Sequence, residues 1–464
     1  MPPADLRQFI SLLEAHGDLV RVTTPVDPVL EIAAVTDRVC KKPGGGQALL
    51  FEQPLGSTFP LAANLFGSME RTALALGVAS LDELTERLAA LIRQIPAPHM
   101  TLLDRQIADL PGFAAYAPAA APPGWTCAMS PPDLTLFPFL HSWPDDGSAA
   151  GCPRYITLPQ IFTTLPDGSA PNCGMYRCQV RAPRELAIRW SPGSGAARHL
   201  EAWRQQGRPM PAAIVLGGAP AALFTAMIPL PGDLDEMTFA GFLQGKPVSL
   251  APCRTVPLRV PAGAEIVIEG TVAPEENVTE GPFGNHTGFY SPAGPAALLR
   301  VSAVSYRPGA VVPATVVGAP PMEDCWMAQA WERLLLALLQ RLIPGIIDIR
   351  FPLEWTFHQS AIISLETPSP GMVRETARQL WQLPWFAGAR MTVFTDAGST
   401  PADSPGLAWR CINLAESPDD VFTDDSGMRR ALDATGSRYH RHMLVPDPAT
   451  LELVRRRWQE YGLS

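Results

Sequence analysis

The sequence predicts a protein of the mixed α/β class that is built from several domains. Its 464 residues exceed the usual size of one domain, and 47% of them are hydrophobic, which is sufficient for sizeable cores. Helical and strand-like periodicities alternate at both ends of the chain, whereas the middle is rich in strand-like segments. We therefore expect an α/β domain over residues 1–120, a β-rich domain over residues 121–320 and a second α/β domain over residues 321–464.

Helices and short strands follow one another in the N-terminal part. Asp5 is a suitable N-cap for a helix with one apolar face, and Gly17 is a suitable residue to end it. A strand, a helix, a strand and two helices are then predicted over residues 19–22, 28–42, 48–51, 70–77 and 81–94. A Pro- and Ala-rich stretch over residues 117–124 indicates a linker or a domain edge.

Segments rich in β-branched and aromatic residues predict strands in the central part. Residues 155–163 and 173–180 flank Asp167-Gly168, which is a turn signature typical of a hairpin. Further strands are predicted over residues 212–216, 265–272, 299–306 and 311–317. This pattern indicates a β-barrel or sandwich with helical inserts.

The C-terminal part begins with a predicted helix over residues 324–342 and a strand over residues 346–350. A strand over residues 361–365, a helix over residues 372–383 and a strand over residues 391–395 form a plausible βαβ unit. The chain closes on an amphipathic helix over residues 451–461. This helix could dock on a neighbouring subunit, although packing on its own domain is the more frequent outcome.

Composition excludes several classes of function. The net charge of −9 is spread along the chain without a long basic block, which argues against nucleic acid as a partner. The first residues lack a signal-peptide pattern, and the most apolar stretch, residues 334–347, is too short and too interrupted to span a bilayer. The eight cysteines show neither a Cys-x-x-Cys pair nor zinc spacing. We expect a cytoplasmic protein with reduced thiols and no membrane span.

The segment Asn172-Cys-Gly-Met-Tyr-Arg177 is the first candidate site. Arg177 stands on a predicted strand among apolar neighbours, and its guanidinium keeps its charge, so it must meet an anion or stay near solvent. Its fixed fork suits a carboxylate or a phosphate. A structural ion pair is the more common role for such an arginine.

The segment Glu280–Gly288 is the second candidate, a loop rich in glycine and proline that carries Glu280, Asn285 and His286. A glutamate close to Phe283 could have the raised pKa that a general acid or base needs at neutral pH. An ordinary turn with an exposed glutamate is the simpler interpretation.

Two further clusters carry charge. Asp233, Asp235 and Glu236 precede an apolar run, so they could ligate Mg²⁺ or Mn²⁺ or could simply begin a helix. Arg429 and Arg430 could hold a phosphate, but surface arginines are more often solvated.

Taken together and in this order, these segments resemble the UbiD-type decarboxylases. The residues that carry the resemblance are Asn-x-Gly-Met-Tyr-Arg-x-Gln-Val at 172–180, Pro-x-Pro with an acid before Phe-Ala-Gly at 229–241, Ala-Glu-Ile-Val-x-Glu-Gly at 264–270, Glu-Gly-Pro-Phe-Gly-x-His-Thr-Gly at 280–288 and Leu-Asp-Ala-Thr at 432–435. The first residues of the chain also fit, so the resemblance runs nearly end to end.

The resemblance implies a fold, a cofactor and a reaction. The fold would be an N-terminal α/β domain, a central split β-barrel of the flavin-reductase type and a C-terminal α/β domain with an oligomerising helix. The cofactor would be prenylated FMN, supplied by a separate flavin prenyltransferase and accompanied by Mn²⁺ or Mg²⁺ and by K⁺. The reaction would be the reversible removal of CO₂ from an aromatic, heteroaromatic or α,β-unsaturated carboxylic acid, in a homo-oligomer that is a dimer or a hexamer.

The resemblance also implies roles for single residues. Arg177 would hold the substrate carboxylate and pair with Glu280, the first acid of an acid–arginine–acid network. Asn172 and Glu236 would be ligands of the metal that bridges to the flavin phosphate. Further contacts to the cofactor are implied for Trp190, Ser191, Ile228, Pro229 and Arg429.

The sequence departs from the family pattern at two places. Asn285 stands where the second acid is expected, and an amide cannot exchange a proton as a carboxyl does. No histidine follows Arg189-Trp190 at the position of the third metal ligand, since His199 comes six residues too late.

Three interpretations of the chain remain, and the first two concern these departures. The chain could be a working decarboxylase that delivers a proton through Glu280, His286 or water. It could instead be a cofactor-binding relative, or a subunit, whose activity is lost or altered. A flavin reductase-like oxidoreductase rests only on the barrel, and no Gly-x-Gly-x-x-Gly fingerprint supports a dinucleotide-binding version of it. The stretch over residues 321–327 is a candidate wall of the substrate pocket, or a helix start capped by Asp324.

Overall fold

The structure, a computed structural model, describes residues 2–95, 110–230, 234–397, 404–436 and 447–462. Within these residues helices and strands are mixed along the whole chain, and the strands form sheets of five, nine, four, three and two strands. The predicted α/β class is thereby confirmed. Of the predicted site residues, Asp233 lies outside the described part of the chain.

The N-terminal elements alternate as the sequence predicts. Their bounds are α1 (Leu6–Ala15), β1 (Leu19–Val22), α2 (Glu31–Cys40), β2 (Ala48–Phe51), β3 (Leu61–Ala63), α3 (Met69–Leu76), α4 (Leu81–Ile92), α5 (Pro111–Ala114) and β4 (Ala119–Ala120).

The central elements are mostly strands, with three helices inserted between them. Their bounds are β5 (Cys127–Met129), β6 (Tyr155–Ile156), β7 (Gln160–Thr163), β8 (Asn172–Gly174), β9 (Cys178–Ala182), β10 (Glu185–Ile188), α6 (Gly195–Gln205), β11 (Met210–Gly217), α7 (Pro220–Thr225), α8 (Glu236–Gln244), β12 (Ser249–Pro252), β13 (Arg259–Pro261), β14 (Ala264–Glu280), β15 (Phe283–Gly284), β16 (Tyr290–Ser291), β17 (Gly294–Tyr306) and β18 (Val312–Ala314).

The C-terminal elements alternate again. Their bounds are α9 (Glu323–Leu342), β19 (Ile346–Arg350), β20 (Ser360–Leu365), α10 (Pro370–Gln382), β21 (Met391–Asp396), α11 (Ser404–Leu414), β22 (Val421–Thr423), β23 (Arg430–Asp433) and α12 (Pro448–Arg457).

Local sequence signals account for the first helices. The Asp5 carboxylate accepts a hydrogen bond from the Gln8 N–H at 3.0 Å and caps α1, whose apolar face is buried as predicted. Helix α2 starts at Glu31, three residues later than predicted, because the Asp27 carboxylate accepts the Val29 N–H and Leu30 takes a positive φ of 66°. The turn that precedes α2 therefore uses residues that a helix would otherwise have used.

The nine-stranded sheet separates two hydrophobic cores and forms the half-barrel that the resemblance implied. All eight residues of β11 are buried, which is typical of a strand covered on both faces. Successive side chains of a strand point to opposite faces, so Ala213 and Val215 pack into one core whereas Ile214 and Leu216 pack into the other. Strands β14 and β17 are its longest pair, and β14 ends at Glu280.

The predicted hairpin around Asp167-Gly168 is present, but its strands are shorter than predicted. Strand β7 pairs with β8, and the chain then leaves the sheet before β9 begins at Cys178. The reason is a change of partner, since the Met175 N–H donates to the carbonyl oxygen of Ala226 at 2.8 Å. Arg177 therefore stands in a break between two strands and not on a strand as predicted.

The sheets also cross the predicted domain boundaries. The four-stranded sheet has the order β1-β2-β3-β18, so the central part of the chain completes the N-terminal sheet. Strand β4, in the stretch predicted to be a linker, pairs with β12. The boundaries at residues 120 and 320 stay a prediction.

The C-terminal sheet confirms the predicted βαβ unit, because β20 and β21 are parallel neighbours joined through α10. Helix α9 begins at Glu323 with Met322 as its N-cap, so Asp324 lies in the first turn and is not the cap. Within the described residues, no helix is long and apolar enough to cross a membrane.

Candidate functional site

A cavity of about 780 Å³ lies beside the break between β8 and β9. Its walls come from the central sheet, from α6, from the segment before α8 and from the start of α9. The structure brings eight of the predicted site residues to this one cavity: Asn172, Arg177, Ser191, Ile228, Pro229, Glu236, Asn285 and His286. Segments up to 114 positions apart in the sequence thus converge on one volume that could hold a ligand of cofactor size.

Arg177 is held at the cavity wall by Glu280. Its Nε donates to Oε1 of Glu280 at 2.6 Å and its Nη2 donates to Oε2 at 3.1 Å. The Glu280 carboxylate has no exposed surface, whereas the Arg177 side chain is 21% exposed. Glu280 lies behind Arg177 and orients it, which leaves Nη1 of Arg177 with no bond to Glu280.

The sequence did not indicate that a second arginine reaches Glu280. Nη1 of Arg189 lies 3.5 Å from Oε2 of Glu280 and donates to the carbonyl oxygen of Pro292. Two guanidiniums therefore face one carboxylate, and this group of three carries one net positive charge. A positive charge at the cavity wall favours an anionic ligand.

The loop after β14 is held by a hydrogen bond to Asp146 and by the packing of Phe283 on Arg177. Gly281 takes a φ of 90°, which favours glycine. The Gly284 N–H donates to the Asp146 carboxylate at 2.7 Å, and burial raises the pKa of that carboxyl. The Phe283 ring faces the Arg177 guanidinium, with its centroid 4.7 Å from Cζ. This packing fixes the direction in which the guanidinium points.

Asn285 and His286 follow on the same loop. The Asn285 side chain is engaged within the loop, since Nδ2 donates to Oγ of Ser291 at 2.7 Å and Oδ1 accepts the His286 N–H at 2.7 Å. The His286 ring packs on the Phe357 ring with centroids 5.3 Å apart. Asn285 therefore shapes the loop, while the imidazole meets the C-terminal part of the chain across the cavity.

Asn172 and Glu236, the two predicted metal ligands, line the same cavity. Glu236 accepts the Cys173 N–H at 3.0 Å, and burial raises the pKa of its carboxyl to about 8. Nδ2 of Asn172 is buried and has no hydrogen-bond partner among the described residues. A Cβ added at Gly195 would overlap Oδ1 of Asn172, so only glycine allows this close approach. In the part of the chain that the structure describes, no group of three or more His, Cys, Asp and Glu side chains could hold a metal.

The start of α6 forms a polar end of the cavity that sequence analysis missed. Ser194 caps the helix by accepting the Ala197 N–H, and Gly193, Gly195 and Arg198 line the same end. Free N–H groups at a helix start and an arginine side chain together favour an anion such as a phosphate. The signal was the run Ser-Pro-Gly-Ser-Gly before a helical segment, which resembles a helix N-terminus.

His199 lies one turn further along α6 and also lines the cavity. Its Nδ1 is 2.9 Å from Oγ1 of Thr163. Burial lowers the pKa of the imidazole to about 4, so the ring is neutral at neutral pH.

Three predicted residues do not reach the cavity surface as the described residues define it. Glu280 is behind Arg177. Trp190 packs its ring on Tyr176, with centroids 5.1 Å apart, and is a support beneath the wall. Arg429 pairs with Asp424 at 2.9 Å and donates to the carbonyl oxygen of Trp381. Its contact with a phosphate stays a prediction. Its pairing lowers the pKa of Asp424 to about 2, chiefly through the Arg429 backbone N–H.

The predicted pocket wall at residues 321–327 contributes Asp324 and Met327. These residues are three positions apart in α9 and therefore share a face of the helix. Of the two interpretations of this stretch, the pocket wall is therefore the one in which Asp324 takes part.

Three family models match the chain, all describing the 3-octaprenyl-4-hydroxybenzoate carboxy-lyase. The N-terminal domain matches over residues 10–91, the Rift-related domain (UbiD) over residues 123–320 and the C-terminal domain over residues 325–443.

Relatives and solved structures agree with this match. An uncharacterized protein of Archaeoglobus fulgidus is 35% identical over 418 residues, which is 90% of this chain and 85% of its own. An uncharacterized protein of Aquifex aeolicus is 36% identical over 424 residues, which is 90% and 86% of the two chains. An evolved dimeric form of the UbiD-class enzyme HmfF from Pelotomaculum thermopropionicum, in complex with prFMN, superposes with a TM-score of 0.81 at 26% identity over 98% of this chain and 100% of its own.

The fold is also shared with the vanillic acid decarboxylase of Sedimentibacter hydroxybenzoicus in its closed form. That structure has a TM-score of 0.83 at 23% identity and covers 99% of each chain. From its matching domains, its relatives and its fold, this chain belongs to the UbiD family.

Proposed function

We propose that this protein is a decarboxylase that removes CO₂ reversibly from an aromatic, heteroaromatic or α,β-unsaturated carboxylic acid with the help of prenylated FMN. Family membership supports a general carboxylase or decarboxylase function. The observation that carries the proposal is the Arg177–Glu280 pair, because it presents an oriented guanidinium with spare donors to the cavity. A carboxylate is one of the two anions, with phosphate, that such a fork matches.

The residues around the cavity fit a flavin mononucleotide. Apolar side chains, among them Met175, Met227 and Ile228, form a wall suited to a flat ring system. The start of α6 with Arg198 lines the cavity and suits the phosphate, while a contact from Arg429 stays a prediction. The unpaired Nδ2 of Asn172 marks a buried polar position that a ligand would satisfy.

The cofactor would supply the electron acceptance that the loss of CO₂ requires, and the chain would supply binding and positioning. Arg177 would hold the substrate carboxylate through Nη1. Glu280 and Arg189 would keep Arg177 in this orientation, and the loop around Phe283 would exclude water. These roles require no movement of charge on Glu280.

We extend the proposal to a divalent cation, Mn²⁺ or Mg²⁺, near Asn172 and Glu236, and to K⁺ in its vicinity. Two oxygen-bearing side chains at one cavity, together with a phosphate and water, suit a hard cation. The absence of a third protein ligand predicts weaker binding than a full ligand set would give. The eight free cysteines suit the reducing cytoplasm in which we place the protein.

The test is to co-express the chain with a flavin prenyltransferase and to purify it. We expect flavin-like absorbance and the release of CO₂ from at least one acid of a panel of benzoic, hydroxybenzoic, furancarboxylic and cinnamic acids. Protein expressed without the prenyltransferase is the matched control.

The engagement of Asn285 within its own loop favours one competing candidate, a cofactor-binding relative without turnover. Cofactor loading without CO₂ release, and without exchange of deuterium into the decarboxylated acids, would support this second candidate and contradict the first.

A further inference from the structure

The proposed reaction needs a proton donor at the cavity, and the expected second acid is absent. When the bond between the substrate carbon and CO₂ breaks, an electron pair stays behind and the carbon must take up one proton. Asn285 is unsuited to deliver it, because an amide N–H is far too weak an acid and the side chain is engaged with Ser291 and His286.

Three carboxyl groups line the cavity within the described residues, namely those of Asp235, Glu236 and Asp324. Asp235 caps α8 by accepting the Thr238 N–H at 2.8 Å, and Glu236 accepts the Cys173 N–H at 3.0 Å. Asp324 accepts a weaker contact from the Cys325 thiol at 3.7 Å. Its oxygens are therefore the least committed of the three.

We propose that Asp324 donates the proton to the substrate carbon, in place of the acid that Asn285 replaces. This inference rests on the proposed function. The helix fixes the carboxyl, since Asp324 lies in the first turn of α9 and shares a face with Met327, which also lines the cavity. Arg177 lines the same cavity, and we place the substrate between Arg177 and Asp324.

The surroundings of Asp324 raise the pKa of its carboxyl, which favours a protonated side chain that can still release its proton. Burial raises the pKa of its carboxyl to about 7, and the like charge of Glu323 acts in the same direction. Cys325 on the same helix and Cys40 on α2 are its further ionisable neighbours, and both thiols have raised pKa values. Arg177, Arg198 and His286 face the cavity from the central part. A general acid works best when its pKa lies near the working pH.

The step balances without a further reactant. The bond to CO₂ breaks, the carbon takes the proton of the Asp324 carboxyl, and Asp324 becomes a carboxylate that water reprotonates. In the reverse direction the Asp324 carboxylate removes a proton from the product carbon. The enzyme should therefore exchange deuterium from solvent into its product through Asp324.

The test compares Asp324→Asn, Asp324→Glu and Asp82→Asn in the cofactor-loaded protein, with an acid of the panel that the wild type converts. Asp82 is the matched control, because it is an exposed acid at the same position of the first turn of α4. We expect Asp324→Asn to lower turnover by about 10²–10⁴-fold and to lose product deuterium exchange. Asp324→Glu should recover part of both, and Asp82→Asn should behave as the wild type.

Infrared difference spectra of wild type minus Asp324→Asn give a readout that does not depend on turnover. We expect a protonated carboxyl band that disappears with a midpoint near pH 7. Asp324→Asn protein with wild-type turnover and deuterium exchange would overturn the role of Asp324. So would a result in which His286→Gln loses both activities while Asp324→Asn keeps them. A band that is absent throughout the titration would overturn it as well. A loaded wild type that neither releases CO₂ nor exchanges deuterium would overturn the proposed function, and this inference with it.

Discussion

Among single residues, the buried carboxylate of Glu280 determines where the arginines of the candidate site lie. Burying the charge of Glu280 is costly unless the charge is paired and hydrogen-bonded, and Arg177 and Arg189 provide that pairing. Removal of either arginine would leave less compensation for the buried charge. The position of Arg177 at the cavity is therefore coupled to Glu280, which does not line the cavity.

We expect Arg177→Lys to abolish turnover while the protein stays folded. Lysine keeps the positive charge but has one ammonium in place of a planar fork, so it cannot bond both oxygens of Glu280 and a substrate carboxylate together. Steady-state rates, with circular dichroism to verify the fold, would test this. Turnover at the wild-type rate would remove Arg177 from the site.

The lowered pKa of His199 predicts how the stability of the fold depends on pH. Its pKa is about 4 in the folded protein against a usual value of 6.5, so the unfolded chain binds the proton more tightly. The stability from this group is complete above pH 6.5 and is lost as the pH falls toward 4. Between pH 7 and pH 5 the wild type should lose about 2 kcal/mol through this histidine.

His199→Gln, which keeps a polar group beside Thr163, should show a flatter fall of Tm over this range. Parallel Tm profiles for the wild type and the variant would show that the ring is not a buried neutral group.

At the scale of elements, the start of α6 decides how closely two segments approach. Gly195 lets Asn172 reach the helix start, and the long strand β14 carries Glu280 to the point where β8 and β9 separate. The α6 end and the Arg177 end of the cavity thus depend on one glycine and on the length of one strand.

We expect Gly195→Ala to weaken cofactor binding and to lower Tm, because the added methyl group would displace the Asn172 side chain. Gly371→Ala is the matched control in the first turn of α10, where a Cβ meets no atom within 4 Å. The control should be neutral or more stable by about 0.4–1 kcal/mol, since alanine restricts the unfolded chain. Cofactor content per chain and thermal melts measure both effects, and equal cofactor content in the two variants would contradict the assignment.

At the scale of the whole molecule, α12 lies on the surface with no buried residue. Leu451, Val454 and Trp458 follow helical spacing along one face, and Leu451 and Trp458 are 47% and 45% exposed. Exposed apolar residues that share a helical face are a candidate contact surface. We propose that this face of the helix contacts a neighbouring subunit in a homo-oligomer, a dimer or a hexamer, as the family resemblance implies.

We expect the double variant Leu451→Glu and Trp458→Glu to have a lower molar mass in solution than the wild type. Arg456→Glu, on the opposite face of α12, adds an acidic residue without touching the apolar face and should keep the wild-type mass. Light scattering after size-exclusion chromatography measures both. A wild type that is monomeric at all concentrations, or a double variant of unchanged mass, would contradict this role of the helix.

The sequence by itself determined what local rules control. The cap at Asp5, the hairpin turn at Asp167-Gly168 and the βαβ unit follow from patterns within a few residues, because helix and strand periods are short. The order of motifs also determined the family, and with it the pairing of Arg177 with Glu280.

Only the tertiary structure decided which side chains reach the cavity. Arg177 and Glu280 are 103 positions apart, and the bond from Met175 to Ala226 takes the chain out of the sheet at the required point. The same packing placed Asp324 and Arg198 in the cavity, moved Glu280 behind its partner and engaged Arg429 with Asp424. The physical reason is that such contacts depend on strand register and helix direction across distant segments, which no local pattern of residues encodes.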